Sequence, residues 1–294
     1  MKYLFKGSAV ALITPFKDGG IDYDSLGKLI DYQLENKTDG IVVLGTTGEP
    51  ATTSDKDKKE IISFAKNKIG NKAKLIVGTG ANSTRKAIEN SALAKELGAD
   101  GLLVVTPYYN KCNMSGLVEH YKLIAESVGE LPIIAYNVPG RTGVNITPDV
   151  ALELSQIPNV VGIKEASGNI SQIVALTNAL KDKMAVYSGD DALNYIFMTL
   201  GAQGCISVTA NILPKQVKSV VDLCLNSNYN DALLVHEKLL DINKTMFVDV
   251  NPIPVKYACS LLKMCDSEIR LPLSMPNEEN KAKIKKSLQA FFDL

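Results

Sequence analysis

Short apolar runs rich in β-branched residues recur along the first two thirds of the chain, and a longer amphipathic segment follows most of them. In these longer segments apolar residues recur at three- and four-residue spacing, as at Leu26, Leu29, Ile30 and Leu34. Strands that alternate with helices are typical of βαβ units and a parallel sheet. The runs predicted to be strands are Val10–Ile13, Gly40–Leu44, Lys74–Val77, Gly101–Val105, Ile133–Tyr136, Val160–Lys164, Met184–Tyr187 and Gly204–Val208. This repeated pattern predicts an α/β fold, a closed (β/α)8 TIM barrel rather than an open sheet.

The pattern changes after the last of these runs and is helical from about Pro214 to Leu294. No low-complexity tract and no Pro/Gly/Ser-rich linker separates this region from the runs before it. We therefore expect residues 1–213 to form the catalytic barrel. Residues 214–294 are expected to form a C-terminal helical region packed on the barrel.

The charges of the chain balance, with 32 lysines and arginines against 32 aspartates and glutamates. This balance leaves no electrostatic footprint for nucleic acid or a membrane surface. No apolar stretch approaches the roughly 20 residues of a membrane span, and residues 1–16 contain no long apolar run behind a basic start. We expect a soluble, cytoplasmic protein that binds neither nucleic acid nor membrane.

The cysteines and histidines do not form a metal-binding pattern. The five cysteines include no close CxxC pair, and a chain of 294 residues does not need disulfides to hold its core. His120 and His236 both fall in helix-like segments, and neither has a second histidine at ligand spacing. We expect reduced cysteines, no metal site and no cofactor.

Lys164 ends the almost wholly apolar run that begins at Val160, whereas most lysines of this chain lie in polar, helix-like segments. If the run is a buried strand, loss of solvent disfavours the charged ammonium and lowers the pKa of Lys164. A neutral amine attacks ketones and forms a Schiff base. The alternative is a lysine at a strand end whose ammonium simply extends to water.

The other polar candidates follow predicted strands, at the barrel face where TIM-barrel enzymes carry their chemistry. Thr46 and Thr47 lie in a Gly-Thr-Thr-Gly turn whose N–H groups and hydroxyls suit a carboxylate or a phosphate, although such turns are common. Arg141 is one of only three arginines and suits bidentate capture of a carboxylate, unless it is an ordinary surface residue. Tyr136 ends the strand before Lys164, and together with Thr46 and Tyr109 it offers a chain of hydroxyls for proton transfer.

Taken together, the motifs resemble the dihydrodipicolinate synthase (4-hydroxy-tetrahydrodipicolinate synthase) family of class I pyruvate-dependent aldolases. The resemblance covers essentially the full length, and the combination of motifs is specific although no single motif is. The motifs are Gly45–Glu49, Thr106–Asn110, Tyr136–Pro139, Arg141–Gly143, Gly162–Glu165, Ser188–Asp191, Ile206–Asn211 and Asn251–Lys256.

The resemblance implies that Lys164 forms an imine with pyruvate, and that the resulting enamine attacks L-aspartate-4-semialdehyde. The reaction belongs to lysine and diaminopimelate biosynthesis. Tyr136, Thr46 and Tyr109 would relay protons, Thr47 would hold the pyruvate carboxylate and Arg141 the semialdehyde carboxylate. Backbone groups of Gly189 and Ile206 would line the pocket.

The same resemblance implies an assembly. Tyr109 would enter the site from a neighbouring subunit, so a homo-oligomer is expected, with a dimeric contact at Tyr109 and two such dimers in the complete molecule.

Two other functions remain open. A sialic-acid-lyase-like aldolase would share the lysine and the tyrosine but cleave a sugar acid, and Arg141 and the Thr46-Thr47 pair favour a small, acidic second substrate instead. A catalytically silent barrel would bind a keto acid or a partner protein. Borohydride trapping with pyruvate distinguishes this last alternative, since it forms no adduct on Lys164.

Many bacterial members of the family are inhibited by lysine at an interface pocket, and this sequence departs from their pattern. Where they offer two histidines and a glutamate, the aligned residues here are Asp55, Lys58 and Lys86, while Asn82 and Tyr108 are retained. Loss of the glutamate removes the acceptor for the ligand's ammonium, and Lys86 would repel it. We expect lysine inhibition to be weak or absent.

Overall fold

The computed structural model describes residues 3–294, so Met1 and Lys2 of the predicted barrel region lie outside the described residues. Eight parallel strands close into a barrel in chain order, and β1 pairs with both β2 and β8. The strands are β1 (Gly7–Ala11), β2 (Gly40–Val43), β3 (Lys74–Gly78), β4 (Gly101–Val105), β5 (Ile133–Asn137), β6 (Val160–Glu165), β7 (Ala185–Ser188) and β8 (Gly204–Ser207). The predicted TIM barrel is confirmed.

Helices surround the barrel and continue beyond it. They are α1 (Tyr23–Glu35), α2 (Asp55–Ile69), α3 (Thr84–Glu96), α4 (Met114–Val128), α5 (Pro139–Thr142), α6 (Pro148–Leu154), α7 (Ile170–Ala179), α8 (Asn194–Thr199), α9 (Pro214–Leu225), α10 (Tyr229–Thr245), α11 (Ile253–Leu261) and α12 (Glu278–Leu288). Side-chain oxygens of Asp22, Ser54 and Asn113 cap the first free N–H groups of α1, α2 and α4. An antiparallel hairpin pairs Phe16–Lys17 with Gly20–Ile21.

The first strand lies earlier in the chain than the apolar run Val10–Ile13 indicated. Gly7 and Ser8 pair with Gly204 and Cys205, although neither is a typical strand residue. A side chain at Gly7 would collide with the Asp39 carboxylate, so tight packing selects a small residue there. Ile13 has left the ladder, because its N–H donates to Asn211 Oδ1 instead of a neighbouring strand.

The C-terminal region packs on the barrel as a set of helices. Helix α9 contacts β1 and β8, so it occupies the place of the eighth barrel helix. Helix α10 packs on α9, and α12 packs on α10 and α11. The eighth β/α unit, β8 with α9, therefore extends across the domain boundary that was predicted after residue 213. The expectation that this region is entirely helical is wrong for residues 262–277, which form a loop containing one isolated bridge between Glu268 and Phe16.

The core has two layers. The larger layer lies between the strands and the surrounding helices, and a smaller one fills the barrel interior. At the amino-terminal end of the strands, Phe5 stacks on Tyr187 with ring centroids 4.4 Å apart, and the Tyr187 hydroxyl donates to the Phe5 carbonyl at 2.7 Å. Because this end is plugged, ligands reach the interior from the carboxyl end of the strands.

Among residues 3–294, none of the helices has the length and apolar character that a membrane crossing requires.

Candidate active site

Lys164 lies inside the barrel near the carboxyl end of β6. Tyr136 on β5 and Tyr187 on β7 are its partners in the ladder, so the three side chains point into the same interior. The Lys164 side chain is buried, and its ammonium nitrogen lies 4.5 Å from the centroid of the Tyr136 ring. The alternative of a lysine extending to bulk water does not fit this geometry.

Burial lowers the pKa of Lys164 from 10.5 to about 8. The carboxylate of Asp191 opposes the shift because it favours the charged ammonium, and Arg141 adds to it. A lysine with this pKa is partly neutral near pH 7 and is therefore able to act as a nucleophile.

Tyr136 contacts both Lys164 and the turn after β2. Its buried phenol has a raised pKa, and the effect of burial is opposed by Arg141 and by a hydrogen bond with the Thr46 side chain. The hydroxyls of Tyr136 and Thr46 thus lie within reach of one another beside the lysine. This arrangement suits proton transfer during amine chemistry.

The turn after β2 carries Thr46 and Thr47. Leu44 adopts a left-handed conformation with φ of 56°, and Thr46–Gly48 then form a short 3-10 helix. Thr47 is buried, and its hydroxyl oxygen accepts a hydrogen bond from Asn251 Nδ2 at 2.9 Å. Because the oxygen accepts from Asn251, the hydroxyl hydrogen is free to donate to a ligand carboxylate.

The C-terminal region fixes this turn through a buried ion pair. Lys256 of α11 lies 2.6 Å from Glu49 Oε1, and both side chains are almost fully buried. The Arg270 backbone N–H donates to the other Glu49 oxygen at 3.3 Å, and the Lys256 ammonium lies 3.9 Å from the Phe16 ring centroid. Glu49 ends the turn in a left-handed conformation, so these contacts hold the backbone that carries the threonines.

Arg141 lies on α5, the short helix directly after β5. One guanidinium nitrogen donates to the Asn251 carbonyl at 3.0 Å, and the residue is exposed overall. Asn251 thus contacts both Thr47 and Arg141. In the sequence Asn251 and Lys256 are recognisable only as parts of a motif, since nothing local connects them to Thr47 and Glu49, more than 200 positions earlier.

Gly189, directly after β7, lies against the Lys164 side chain. A Cβ atom at Gly189 would lie 2.9 Å from Lys164 Cε and 2.8 Å from the Ala166 Cβ, so only glycine fits. The Gly189 N–H donates to the Glu165 carbonyl at 2.8 Å. Ile206 is buried on β8 within the interior layer of the core.

Tyr109 is the one predicted site residue that makes none of the contacts described above. Its side chain is 91% exposed, and its backbone is left-handed with φ of 71°. Within residues 3–294 its hydroxyl has no hydrogen bond to another side chain or to backbone.

A cavity of about 570 Å³ opens beside Tyr136. Thr46, Tyr136 and Arg141 line one part of it, and Lys58, Lys86 and Tyr108 line another. Among residues 3–294 there is no group of three or more histidine, cysteine, aspartate or glutamate residues that could hold a metal ion.

Comparison with known proteins identifies relatives along nearly the whole chain. The profile of the dihydrodipicolinate synthetase family matches residues 4–291. A 4-hydroxy-tetrahydrodipicolinate synthase from Geotalea uraniireducens is 47% identical over 281 residues, which cover 96% of this chain and 97% of that protein.

Solved structures agree with this relationship. The dihydrodipicolinate synthase from Aquifex aeolicus has a TM-score of 0.95 and 44% identity, with 98% of each chain covered. The chloride-inhibited dihydrodipicolinate synthase from Acinetobacter baumannii, solved as a complex with pyruvate, has a TM-score of 0.95 and 46% identity, covering 97% of this chain and 98% of that one. The chain therefore belongs to the dihydrodipicolinate synthetase family and is an enzyme, a lyase of the class I aldolase type.

Proposed function

We propose that this enzyme condenses pyruvate with L-aspartate-4-semialdehyde through an imine on Lys164, as a 4-hydroxy-tetrahydrodipicolinate synthase in lysine and diaminopimelate biosynthesis. The observation that carries the proposal is the buried Lys164 amine beside the Tyr136 ring, with a pKa of about 8. Family membership and the pyruvate complex of the A. baumannii relative support pyruvate as the ketone.

The first half of the reaction forms the imine. The lone pair of Lys164 Nζ attacks the C2 carbonyl carbon of pyruvate, and the carbonyl oxygen takes up protons and leaves as water. Tyr136 and Thr46 are placed to move these protons, since their hydroxyls interact beside the amine. The Thr47 hydroxyl and the N–H groups of its turn bind the pyruvate carboxylate.

The second half forms the carbon–carbon bond. Loss of a methyl proton converts the imine to an enamine, whose carbon attacks the aldehyde carbon of the semialdehyde. The semialdehyde amine then attacks the imine carbon, which closes the ring and releases Lys164 as a free amine. Arg141 holds the semialdehyde carboxylate at the cavity mouth, and Gly189 and Ile206 line the pocket.

Two parts of the proposal concern assembly. Tyr109 completes the proton relay of a neighbouring subunit, because its side chain is exposed and outside the site of its own chain. We also propose that two such dimers associate in the complete molecule.

Borohydride reduction in the presence of pyruvate tests the imine. The expected result is a mass adduct of one pyruvate on Lys164, and its absence would reject every aldolase function. A coupled reductase assay then tests condensation with the semialdehyde, and faster cleavage of sugar acids would favour a sialic-acid-lyase-like activity instead.

Arg141→Ala tests the division between the two substrates. We expect it to impair use of the semialdehyde, while the variant still traps pyruvate on Lys164. An equal loss of trapping and of condensation would show that Arg141 does not serve the second substrate alone.

A further inference from the structure

Glu165 follows the proposed nucleophile directly, yet its side chain points to the opposite face of β6. It is fully buried, and within residues 3–294 no lysine or arginine forms an ion pair with it. Three N–H donors surround its carboxylate instead. They are Asn137 Nδ2 at 2.8 Å, Gln172 Nε2 at 3.2 Å and the Ser167 backbone N–H at 2.5 Å. A buried carboxylate satisfied only by N–H groups is costly to keep, which points to a role beyond packing.

The donors connect Glu165 to the loop that carries Arg141. This loop, residues 138–146, begins directly after Asn137, and its last two residues form hydrogen bonds with the Asn137 side chain. Asn137 Nδ2 donates to Asn145 Oδ1, and Asn137 Oδ1 accepts from the Ile146 N–H, both at 2.8 Å. One side chain therefore joins the two ends of the loop.

Gln172 of α7 holds the same loop from the other side. Its Oε1 accepts from Asn145 Nδ2 at 2.7 Å, and its Nε2 donates to Asn145 Oδ1 at 3.1 Å. Every polar atom of the three amide side chains of Asn137, Asn145 and Gln172 has a partner in this network.

The carboxylate sets the direction of the whole network. An ionised carboxylate only accepts, so it requires an NH₂ group from both Asn137 and Gln172. Their carbonyl oxygens must then face the Ile146 N–H and the Asn145 amide, as observed. Asn137 and Gln172 both donate to Glu165 Oε2, and the Ser167 N–H donates to Oε1. A glutamine at position 165 keeps the two amide bonds only if its own NH₂ group faces the Ser167 N–H, and these bonds then end on a neutral oxygen and are weaker.

We propose that Glu165 is a positioning residue for the semialdehyde, acting through the loop that carries Arg141. This inference rests on the proposed function for its choice of substrate. The carboxylate orients the amides of Asn137 and Gln172, these amides close the loop, and the closed loop places the guanidinium at the cavity mouth. Glu165 therefore affects the second substrate, although it is adjacent in sequence to the residue that binds the first.

Glu165→Gln tests the proposal by two independent measurements. Amide hydrogen exchange of residues 138–146 should become roughly tenfold faster, because the amides of Asn137 and Gln172 then donate to a neutral oxygen in place of a charged one or lose their acceptor. The KM for the semialdehyde should rise by about tenfold, while borohydride trapping of pyruvate on Lys164 stays near the wild-type rate. Asn145→Ala removes the loop's attachment and leaves the carboxylate intact, so it should give the same pattern.

Glu153→Gln is the matched control, since it removes a carboxylate from the exposed face of neighbouring α6. It should leave both measurements unchanged. Unchanged exchange in Glu165→Gln would overturn the proposal, and so would equal losses of pyruvate trapping and of semialdehyde use. If wild-type protein fails to trap pyruvate, the proposed function fails, whereas hydrogen exchange still decides whether Glu165 holds the loop.

Discussion

At the scale of single residues, the chemistry depends on how much of Lys164 is neutral. With a pKa of about 8, roughly a tenth of the amine is unprotonated at pH 7, compared with less than a thousandth for an ordinary lysine. Burial increases the neutral fraction of the Lys164 amine, and Asp191 limits the increase because it stabilises the ammonium. The site thus retains a nucleophile near neutral pH without a nearby base.

This pKa predicts the pH dependence of imine formation. Below about pH 8 the protonated amine cannot attack, so the initial trapping rate with pyruvate should rise about tenfold per pH unit. Above that pH the amine is neutral and the rate should level off. Rates of borohydride trapping between pH 6 and 10 measure this, with Lys164→Ala as the blank. A rate that is flat from pH 6, or one that still climbs at pH 10, would contradict the lowered pKa.

Gly189 determines where the lysine side chain lies. Gly189→Ala would place a methyl group 2.9 Å from Lys164 Cε and 2.8 Å from the Ala166 Cβ, so the lysine must move. A displacement of about 1 Å costs roughly a hundredfold in rate, which is the loss expected for condensation. Steady-state kinetics measure it, and circular dichroism checks the fold.

The control for this substitution is Gly140→Ala, because nothing lies within 4 Å of a Cβ atom there. Its kcat should stay close to the wild-type value. Comparable activity of the two alanine variants would show that Lys164 tolerates the added methyl group.

At the scale of elements, the strands were predictable because buried parallel strands are continuous apolar runs. Lys164 and Tyr136 could be placed together for the same reason, since both lie close to the carboxyl ends of neighbouring strands. The start of β1 was missed because Gly7 and Ser8 are selected by close packing against Asp39 and not by strand propensity.

The contacts that complete the site had no local signal. Asn251 reaches Thr47, and Lys256 reaches Glu49, across more than 200 residues. Periodicity describes how one element faces the core, but it does not say which distant side chain meets which loop. The residues were recognisable only as part of the Asn251–Lys256 motif.

The prediction on lysine inhibition rests on charged residues near the amino-terminal ends of α2 and α3. Lys86 lies 2.9 Å from Asp55 and 3.6 Å from Glu89, and Lys58 lies 3.5 Å from Asp55. Lys58 and Lys86 line the cavity, so a ligand ammonium there meets two like charges and an acidic group that is already paired.

We expect L-lysine in the sub-millimolar range to leave the condensation rate above half of its uninhibited value. Half-inhibition in that range would contradict this reading of the pocket. Lys86→Glu should increase sensitivity, whereas Lys95→Glu, on the exposed surface of α3, should not.

At the scale of the whole molecule, the proposed proton relay needs a residue from a second chain. Lys164, Tyr136 and Thr46 lie together in the barrel, whereas Tyr109 lies at the surface with 91% of its side chain exposed. In a two-fold dimer each subunit presents the same surface, so each Tyr109 would reach the other subunit's site.

Mixing two inactive variants tests this exchange. A Lys164→Ala subunit keeps Tyr109, and a Tyr109→Ala subunit keeps Lys164, so their mixed dimer contains one complete site if the tyrosine crosses the interface. Random pairing makes about half the dimers mixed, each with one site of two, so about a quarter of wild-type activity should return. Mixing Lys164→Ala with Tyr136→Phe is the control and should recover nothing, because both residues serve the site of their own chain. Recovery in the control, or none with Tyr109→Ala, would mean that the site is completed in another way.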